Sequence, residues 1–191
     1  MKNENRAELK AVKIYNSMSE ETTCFEANLY LDGVKLGSVK NRGCGGETEL
    51  HLSRENLKKF NEYVKTLPMW GWSDGTEFLD LDDKKKKKWV HQDAEMVVDN
   101  LLDKHMYAQD LKKELRKGVV IVEDDNHPQY MVYSYKKYPK LKTEPLHLKT
   151  AKWWKDEYEI LNCMPFDKAL ALWVSGIQSQ LIRYKVVKGG K

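Results

Sequence analysis

Cysteine is scarce in this sequence, and its spacing supports neither a covalent nor a metal framework. The three cysteines, Cys24, Cys44 and Cys163, are an odd number and form no CxxC pair, which argues against a disulfide scaffold and a four-ligand zinc site. No apolar run approaches the roughly 20 residues that span a bilayer, and the opening MKNENRAELK lacks the apolar core of a secretory signal. We therefore expect reduced thiols, no contact with a membrane and a cytoplasmic location.

Motifs that would indicate catalysis are weak or missing. The sequence matches GxSxG once, at Gly71-Trp72-Ser73-Asp74-Gly75, but residues 69–83 have the pattern of an irregular connection and not the strand-turn-helix of a nucleophile elbow. The glycines of residues 43–46 are not followed by the Lys-Ser/Thr of a P-loop. The five histidines are dispersed, and the acidic stretches at 80–83 and 123–127 do not match an EF-hand loop. We predict no metal site, no cofactor and no catalytic residue, and we favour a protein that is not an enzyme.

Length and composition favour one well-packed domain. The chain has 191 residues, of which 41% are hydrophobic and 32% charged, and its mean hydropathy is -0.71. A chain of this size can bury one core but is short for two independent ones. We predict a single domain over residues 1–191, with a β-hairpin region at 11–52 and a helical and second hairpin region at 53–191.

The firmest local prediction is a hairpin around Asp32-Gly33. In CFEANLYL, residues 24–31, apolar and polar side chains alternate, as they do in a strand with one buried face. Asp-Gly is the preferred dipeptide of a two-residue type I′ turn. The register that such a turn predicts pairs Leu31 with Val34, Leu29 with Leu36, and Ala27 with Ser38.

Helix and strand signals continue through the rest of the chain. Ser53 is a predicted N-cap with Glu55 in the first turn, and the apolar stripe that follows ends before Pro68. Other predictions are a strand within 11–16, a strand at 48–52, and a helix from about residue 90 that either breaks before LKKELRKG or runs on to Gly118 as its C′ residue. A hairpin from VVIV and QYMVYSYKKY and helices at 153–161 and 165–175 follow. The pattern predicts an α+β fold, with one antiparallel sheet of about five or six strands and three or four helices packed on it.

Residues 42–46, Arg-Gly-Cys-Gly-Gly, form a glycine cluster with two interpretations. Glycines can shape a backbone nest that binds phosphate, especially beside a cation. Here Glu47 and Glu49 follow the cluster and no helix start is evident, so carboxylates would repel the phosphate. We favour a structural or partner-contact loop that needs positive φ angles. The secondary candidate binding residues are Arg42, Gly43, Gly45 and Gly46.

The strongest functional signal is a basic, aromatic window between His127 and Lys155. It holds seven lysines, six aromatic residues and a single acid, Glu144. Lysines neutralise phosphates and aromatic rings stack on exposed bases, but the same residue types also anchor protein interfaces with acidic partners. A third interpretation is that the tyrosines pack one face of a strand. The primary candidate binding residues are Tyr133, Tyr135, Lys136, Lys137, Tyr138 and Lys140.

The run LYLDGVKLGSVKNRGCGG resembles a group of uncharacterised proteins of phages, prophages and other mobile elements. The similar features, within residues 24–46, are the Asp32-Gly33 hairpin, a Gly-x-Val-x-Asn step and a Gly-x-Gly-Gly loop. A looser similarity covers the helix and basic step of residues 94–122. The resemblance implies a mobile-element context, in which small cytosolic proteins bind host machinery, and it assigns no catalytic residue.

The leading hypothesis is a non-enzymatic binding protein of phage or mobile-element origin that inhibits or modulates a host defence or nucleic-acid-handling complex, for example a CRISPR nuclease. Its partner would be a host protein or nucleoprotein complex in the bacterial cytoplasm, and the sequence predicts no oligomeric state. The alternative is direct binding of DNA or RNA, with an affinity that falls steeply with salt. A further alternative is a sponge for a signalling nucleotide that uses the glycine loop.

Overall fold

The computed structural model describes residues 6–67, 70–72, 88–123, 130–143 and 158–174. They belong to two compact units, Met1–His105 and Met106–Lys191. The strands are β1 (Ala7–Ile14), β2 (Phe25–Leu31), β3 (Val34–Asn41), β4 (Glu49–Leu52), β5 (Trp70–Trp72), β6 (Lys88–Val90), β7 (Gly118–Glu123), β8 (Tyr130–Ser134) and β9 (Tyr158–Ile160). The helices are α1 (Arg54–Val64), α2 (Ala94–Lys117) and α3 (residues 166–174), with 3-10 helices at Asn16–Met18, Pro139–Lys142 and Leu161–Cys163.

Antiparallel pairing throughout the described strands confirms the predicted α+β class. The strands form three sheets, ordered β1-β2-β3-β4, β5-β6 and β8-β7-β9. Among the residues described, no helix combines the length and apolar character that crossing a membrane requires. That 1–191 is a single folding domain stays a prediction.

The first unit buries one face of its four-stranded sheet. Phe25, Leu29 and Val39 point inward and are almost completely shielded from solvent. Helix α1 contributes the fully buried Phe60 to this core. The predicted cap of α1 is confirmed, since the Ser53 hydroxyl oxygen accepts a hydrogen bond from the amide of the third residue after it, at 3.2 Å.

The predicted hairpin is confirmed at its turn and wrong beyond it. Asp32 and Gly33 have φ angles of 51° and 78°, the left-handed pair of a type I′ turn. The observed register pairs Leu31 with Val34 as predicted, but it shifts at a β-bulge and then pairs Leu29 with Gly37 and Ala27 with Val39, in place of Leu36 and Ser38.

The bulge follows from the spacing of apolar residues in β3. Leu36 and Val39 are both buried, with 6% and 0% of their surface exposed, yet residues three apart face opposite sides of a regular strand. One extra residue, Leu36, lets both side chains point into the core. Gly37 then adjoins β4 so closely that an added Cβ would lie only 2.4 Å from the His51 carbonyl oxygen.

The second unit is built around β7, which is buried on both faces. Its run Val119–Val122 is at most 2% exposed, as expected for a central strand with a layer on each side. The face that we call the helix face joins Val120 and Val122 to Leu111, Leu161, Ala169, Leu170 and Trp173. The opposite face, which we call the tyrosine face, joins Val119 and Ile121 to Leu141 and Ile160, with Tyr133 and Tyr135 packed against them.

Two predictions in this unit need correction. The helix predicted at 153–161 is wrong over its described part, because Tyr158–Ile160 pairs with β7 as β9 and a 3-10 helix follows; residues 153–157 lie outside the described part. Pairing satisfies the backbone of β7 along its second edge and buries Ile160. Helix α2 ends at Lys117, so the predicted stop at Gly118 is confirmed, but Gly118 opens β7 without the left-handed φ of a C′ residue. An added Cβ at Gly118 would lie 2.3 Å from the Tyr133 carbonyl oxygen.

The two-sided burial of β7 predicts which substitutions cost stability. Ile121→Ala would leave a cavity at a fully buried position, and we expect a loss of about 2–5 kcal/mol in the free energy of unfolding. Met131 is the direct cross-strand neighbour of Ile121 and is 38% exposed, so Met131→Ala should cost under about 1 kcal/mol. Urea denaturation of both variants measures this, and equal losses would contradict the assigned layering.

Candidate functional site

The primary candidate tyrosines are tied to the tyrosine face. Tyr133 and Tyr135 are half-buried against its core. The Tyr135 hydroxyl oxygen accepts a hydrogen bond from Asn162 Nδ2 at 3.2 Å. The same Asn162 accepts from the Val120 amide at 2.8 Å and donates to the Gly118 carbonyl at 3.1 Å. Both rings therefore have a packing role, as one interpretation of the sequence proposed.

A compact turn follows β8 and presents the first two candidate lysines. The Ser134 carbonyl accepts hydrogen bonds from the amides of Lys137 and Tyr138, at 3.1 and 2.9 Å. The Ser134 hydroxyl oxygen accepts from the Lys136 amide at 3.2 Å. These bonds hold the backbone, while the side chains of both lysines remain exposed.

The next two lysines lie within the 3-10 helix Pro139–Lys142. Leu141 anchors this helix, because its side chain is only 5% exposed and belongs to the tyrosine face. Lys140 and Lys142, on either side of it, are exposed. We call Lys136, Lys137, Lys140 and Lys142 the lysine surface. Within the described ranges none of these four side chains forms an ion pair.

Tyr138 connects the lysine surface to the tyrosine face. Its ring centroid lies 5.9 Å from that of Tyr133, with the ring planes tilted by 57°. Lys137 Nζ lies 5.4 Å from the Tyr138 centroid, within the range of a cation–π contact. Five of the six primary candidates thus share direct contacts or a turn with a neighbour, and Lys140 joins them through the 3-10 helix.

The secondary candidates surround a polar hub in the first unit. Asn41 is 93% buried and its Oδ1 accepts hydrogen bonds from the Thr22 hydroxyl and the Gly43 amide, both at 2.8 Å. Its Nδ2 donates to the Gly46 carbonyl at 2.9 Å. One amide side chain therefore shapes both ends of the glycine loop.

The Gly43 carbonyl oxygen satisfies the backbone amides of a neighbouring loop. It accepts from three consecutive amides, those of residues 20, 21 and 22, at 2.9, 3.0 and 3.3 Å. Convergent amides of this kind can bind an anion, but here a carbonyl oxygen occupies them. Gly43 and Gly45 have φ angles of 86° and 81°, which confirms the predicted need for positive φ at these two positions.

Arg42, the suggested anion contact, has an internal partner. Its Nε lies 3.0 Å from Glu49 Oε1, and Glu49 Oε2 lies 3.3 Å from Lys40 Nζ and 3.1 Å from His51 Nε2. Desolvation pushes the pKa of Glu49 upward, but its cationic neighbours outweigh this and lower the pKa overall. Arg42 is therefore already paired with Glu49, and Lys40 shares the same carboxylate.

A small crevice beside the glycine loop was not predicted. It measures about 280 Å³ and is lined by Thr48, Asp99 and Asp103 among others. The Thr48 hydroxyl donates to Asp99 Oδ1 at 2.8 Å, and the Thr48 amide donates to Glu95 Oε1 at 2.6 Å. Burial raises the pKa of both aspartates. The only sequence signal was the four-residue spacing of these acids on α2.

Metal binding finds no support in the part of the chain that the structure covers. No group of three or more His, Cys, Asp or Glu side chains among the described residues is arranged to hold an ion. Of the acidic stretches considered above, 80–83 and 124–127 lie outside the described ranges.

The glycine loop provides a matched pair of substitutions. Gly43→Ala would place a Cβ 2.2 Å from the Met18 carbonyl oxygen at a left-handed φ, and we expect a loss of about 1–3 kcal/mol in unfolding free energy. Gly46 has an ordinary φ, and an added Cβ meets no atom within 4 Å, so Gly46→Ala should stay within about 0.5 kcal/mol of wild type. Chemical denaturation checks both, and a tolerated Gly43→Ala would contradict the left-handed φ of Gly43 and its close approach to Met18.

The crevice predicts a pH-dependent gain from Asp99→Asn. Burial raises the pKa of Asp99 above its ordinary value of 3.8, so the folded protein holds this proton more tightly than the unfolded chain. As the pH rises through the raised pKa, ionisation of Asp99 therefore lowers the free energy of unfolding. Below the ordinary pKa of 3.8 the carboxyl is protonated in both the folded and the unfolded state, so it has no effect on stability. The asparagine keeps an oxygen for Thr48. Because Asp99 is exposed on one side, we expect a small stabilisation at pH 7 that disappears near pH 3.

Urea denaturation across that pH range measures the effect, with Asp110→Asn as the control. Asp110 is an exposed acid of the same helix that does not line the crevice. A destabilised Asp99→Asn at pH 7 would mean that the charged hydrogen bond to Thr48 outweighs the desolvation of the carboxylate.

Comparison with known proteins supplies no relative from which a function could be inferred. No protein-family model, curated protein or solved structure matches the chain. The resemblance of residues 24–46 to mobile-element proteins accordingly stays a prediction.

Proposed function

We propose that this is a non-enzymatic binding protein that contacts an acidic partner through the lysine surface. The observation that carries the proposal is the exposure of Lys136, Lys137, Lys140 and Lys142 without a carboxylate partner in the described ranges. The turn and the 3-10 helix hold them on an ordered backbone. Like charges held on a fixed backbone attract an oppositely charged surface and speed its association.

The tyrosines argue against recognition by base stacking. A base needs a free ring face, but Tyr133 and Tyr135 pack on the core and the Tyr138 ring contacts both Tyr133 and Lys137. The lysines therefore remain as the side chains that contact the charged groups of a ligand. This favours an acidic protein surface over single-stranded nucleic acid.

The partner that we propose is a host protein or nucleoprotein complex, such as a defence nuclease, with the protein acting in the cytoplasm of a bacterium. The mobile-element context rests on the resemblance of residues 24–46. Cys24, Cys44 and Cys163 carry free thiols, which is consistent with a reducing compartment.

Charge reversal tests the proposal. The triple variant Lys136→Glu, Lys137→Glu, Lys140→Glu should abolish capture of protein partners from a nuclease-treated bacterial lysate, because acidic groups would then face an acidic surface. The control is Lys35→Glu, Lys58→Glu, Lys65→Glu, which makes the same charge change at exposed lysines of the first unit.

The control variant should retain the captured proteins, and circular dichroism should show that both variants fold. Equal capture by the two variants would overturn the assignment of the surface. Capture from an untreated lysate that is lost after nuclease treatment would instead support direct nucleic-acid binding.

A further inference from the structure

An exposed apolar strip lies beside the lysine surface. On β8, Met131 pairs with Ile121 and Tyr133 with Val119, so both side chains lie on the tyrosine face. The Tyr133 ring contacts that of Tyr138. We call Met131, Tyr133 and Tyr138 the apolar strip.

The two ends of the strip are open to solvent. Met131 is 38% exposed and Tyr138 is 39% exposed. They are the large hydrophobic side chains exposed among the described residues of the second unit. Tyr138 also lies within cation–π range of Lys137. Single exposed apolar residues are ordinary, but two on one face, joined by a third ring, form a patch.

The chemistry of the strip distinguishes between anionic partners. A phosphate backbone gains nothing from a thioether, whereas protein interfaces are enriched in Met and Tyr at their centre and place charges at the rim. The lysine surface adjoins the Tyr138 end of the strip. An occupant that fits both must offer carboxylates outside and an apolar side chain inside.

We propose that the apolar strip and the lysine surface form one docking surface for a protein segment that carries an apolar anchor residue flanked by acidic side chains. The inference rests on the proposed function and names the partner's chemistry. Met131 and Tyr138 contact the anchor, and the lysines contact the flanking carboxylates. Charge sets the approach and the strip supplies specificity.

Two synthetic probe peptides of equal charge test this inference. One places two leucines within a run of glutamates, and the other replaces the leucines by serines. Fluorescence anisotropy should show the leucine peptide binding about tenfold or more tightly, a difference of about 1.4 kcal/mol. A 20-base-pair DNA duplex serves as the third probe, and tighter binding of the duplex than of either peptide would overturn the inference.

Truncation of the strip supplies the second arm. Met131→Ala with Tyr138→Ala should reduce binding of the leucine peptide to that of the serine peptide. The matched control, Leu57→Ala with Val34→Ala, truncates exposed apolar residues of the first unit, of which Leu57 has the same 38% exposure as Met131, and should leave both affinities unchanged. If the double variant does not fold, Met131→Gln alone keeps the side-chain length while making it polar, and should weaken the leucine peptide selectively.

The outcomes separate this inference from the proposed function. Equal affinity for the two peptides, abolished by the Lys136→Glu, Lys137→Glu, Lys140→Glu variant, would overturn the apolar anchor and leave the lysine surface standing. An unchanged affinity in that lysine variant would overturn the proposed function itself.

Discussion

Burial of β7 on both faces is the constraint on which the second unit depends. A strand with four consecutive shielded apolar residues, Val119–Val122, needs a layer on each side. Helices α2 and α3 provide one layer, and the 3-10 helix at Leu141 with Tyr133 and Tyr135 provides the other. Tyr133 and Tyr135 are consequently packed against the core, and the side chains of Lys136 and Lys137 that follow them reach solvent. The same constraint therefore produces the core and the charged rim.

Much of the secondary structure follows from local chemistry alone. The Asp32-Gly33 turn, the Ser53 cap and the hairpin of β7 and β8 depend on residues close in sequence, and each is confirmed. The register of β3 was wrong because an ideal alternation was assumed. The clue was available, since Leu36 and Val39 are three residues apart and cannot both be buried without a bulge.

The features that sequence reasoning missed are long-range. Thr48 meets Glu95 and Asp99 across separations of 47 and 51 residues, and no local pattern predicts such contacts. β9 was predicted as helix although Tyr158 and Ile160 are residue types that favour strands, because three residues are too few to show an alternation; pairing with β7 decides its conformation. For the candidate surface, the lysines were identifiable from charge density. The packing role of Tyr135 could not be predicted, because Asn162, the hydrogen-bond partner of its hydroxyl group, lies 27 residues away.

In the Pro139–Lys142 helix, the residue that packs on the core is distinct from the residues that reach solvent. Leu141 alone ties this helix to the core, while Lys140 and Lys142 beside it make no described contribution to packing. Surface positions of this kind tolerate substitution with little effect on stability. Substitution of these lysines would therefore change the charge of this surface while the packing of Leu141 keeps the backbone in place. Evolution or design could vary the surface charge here without refolding the unit.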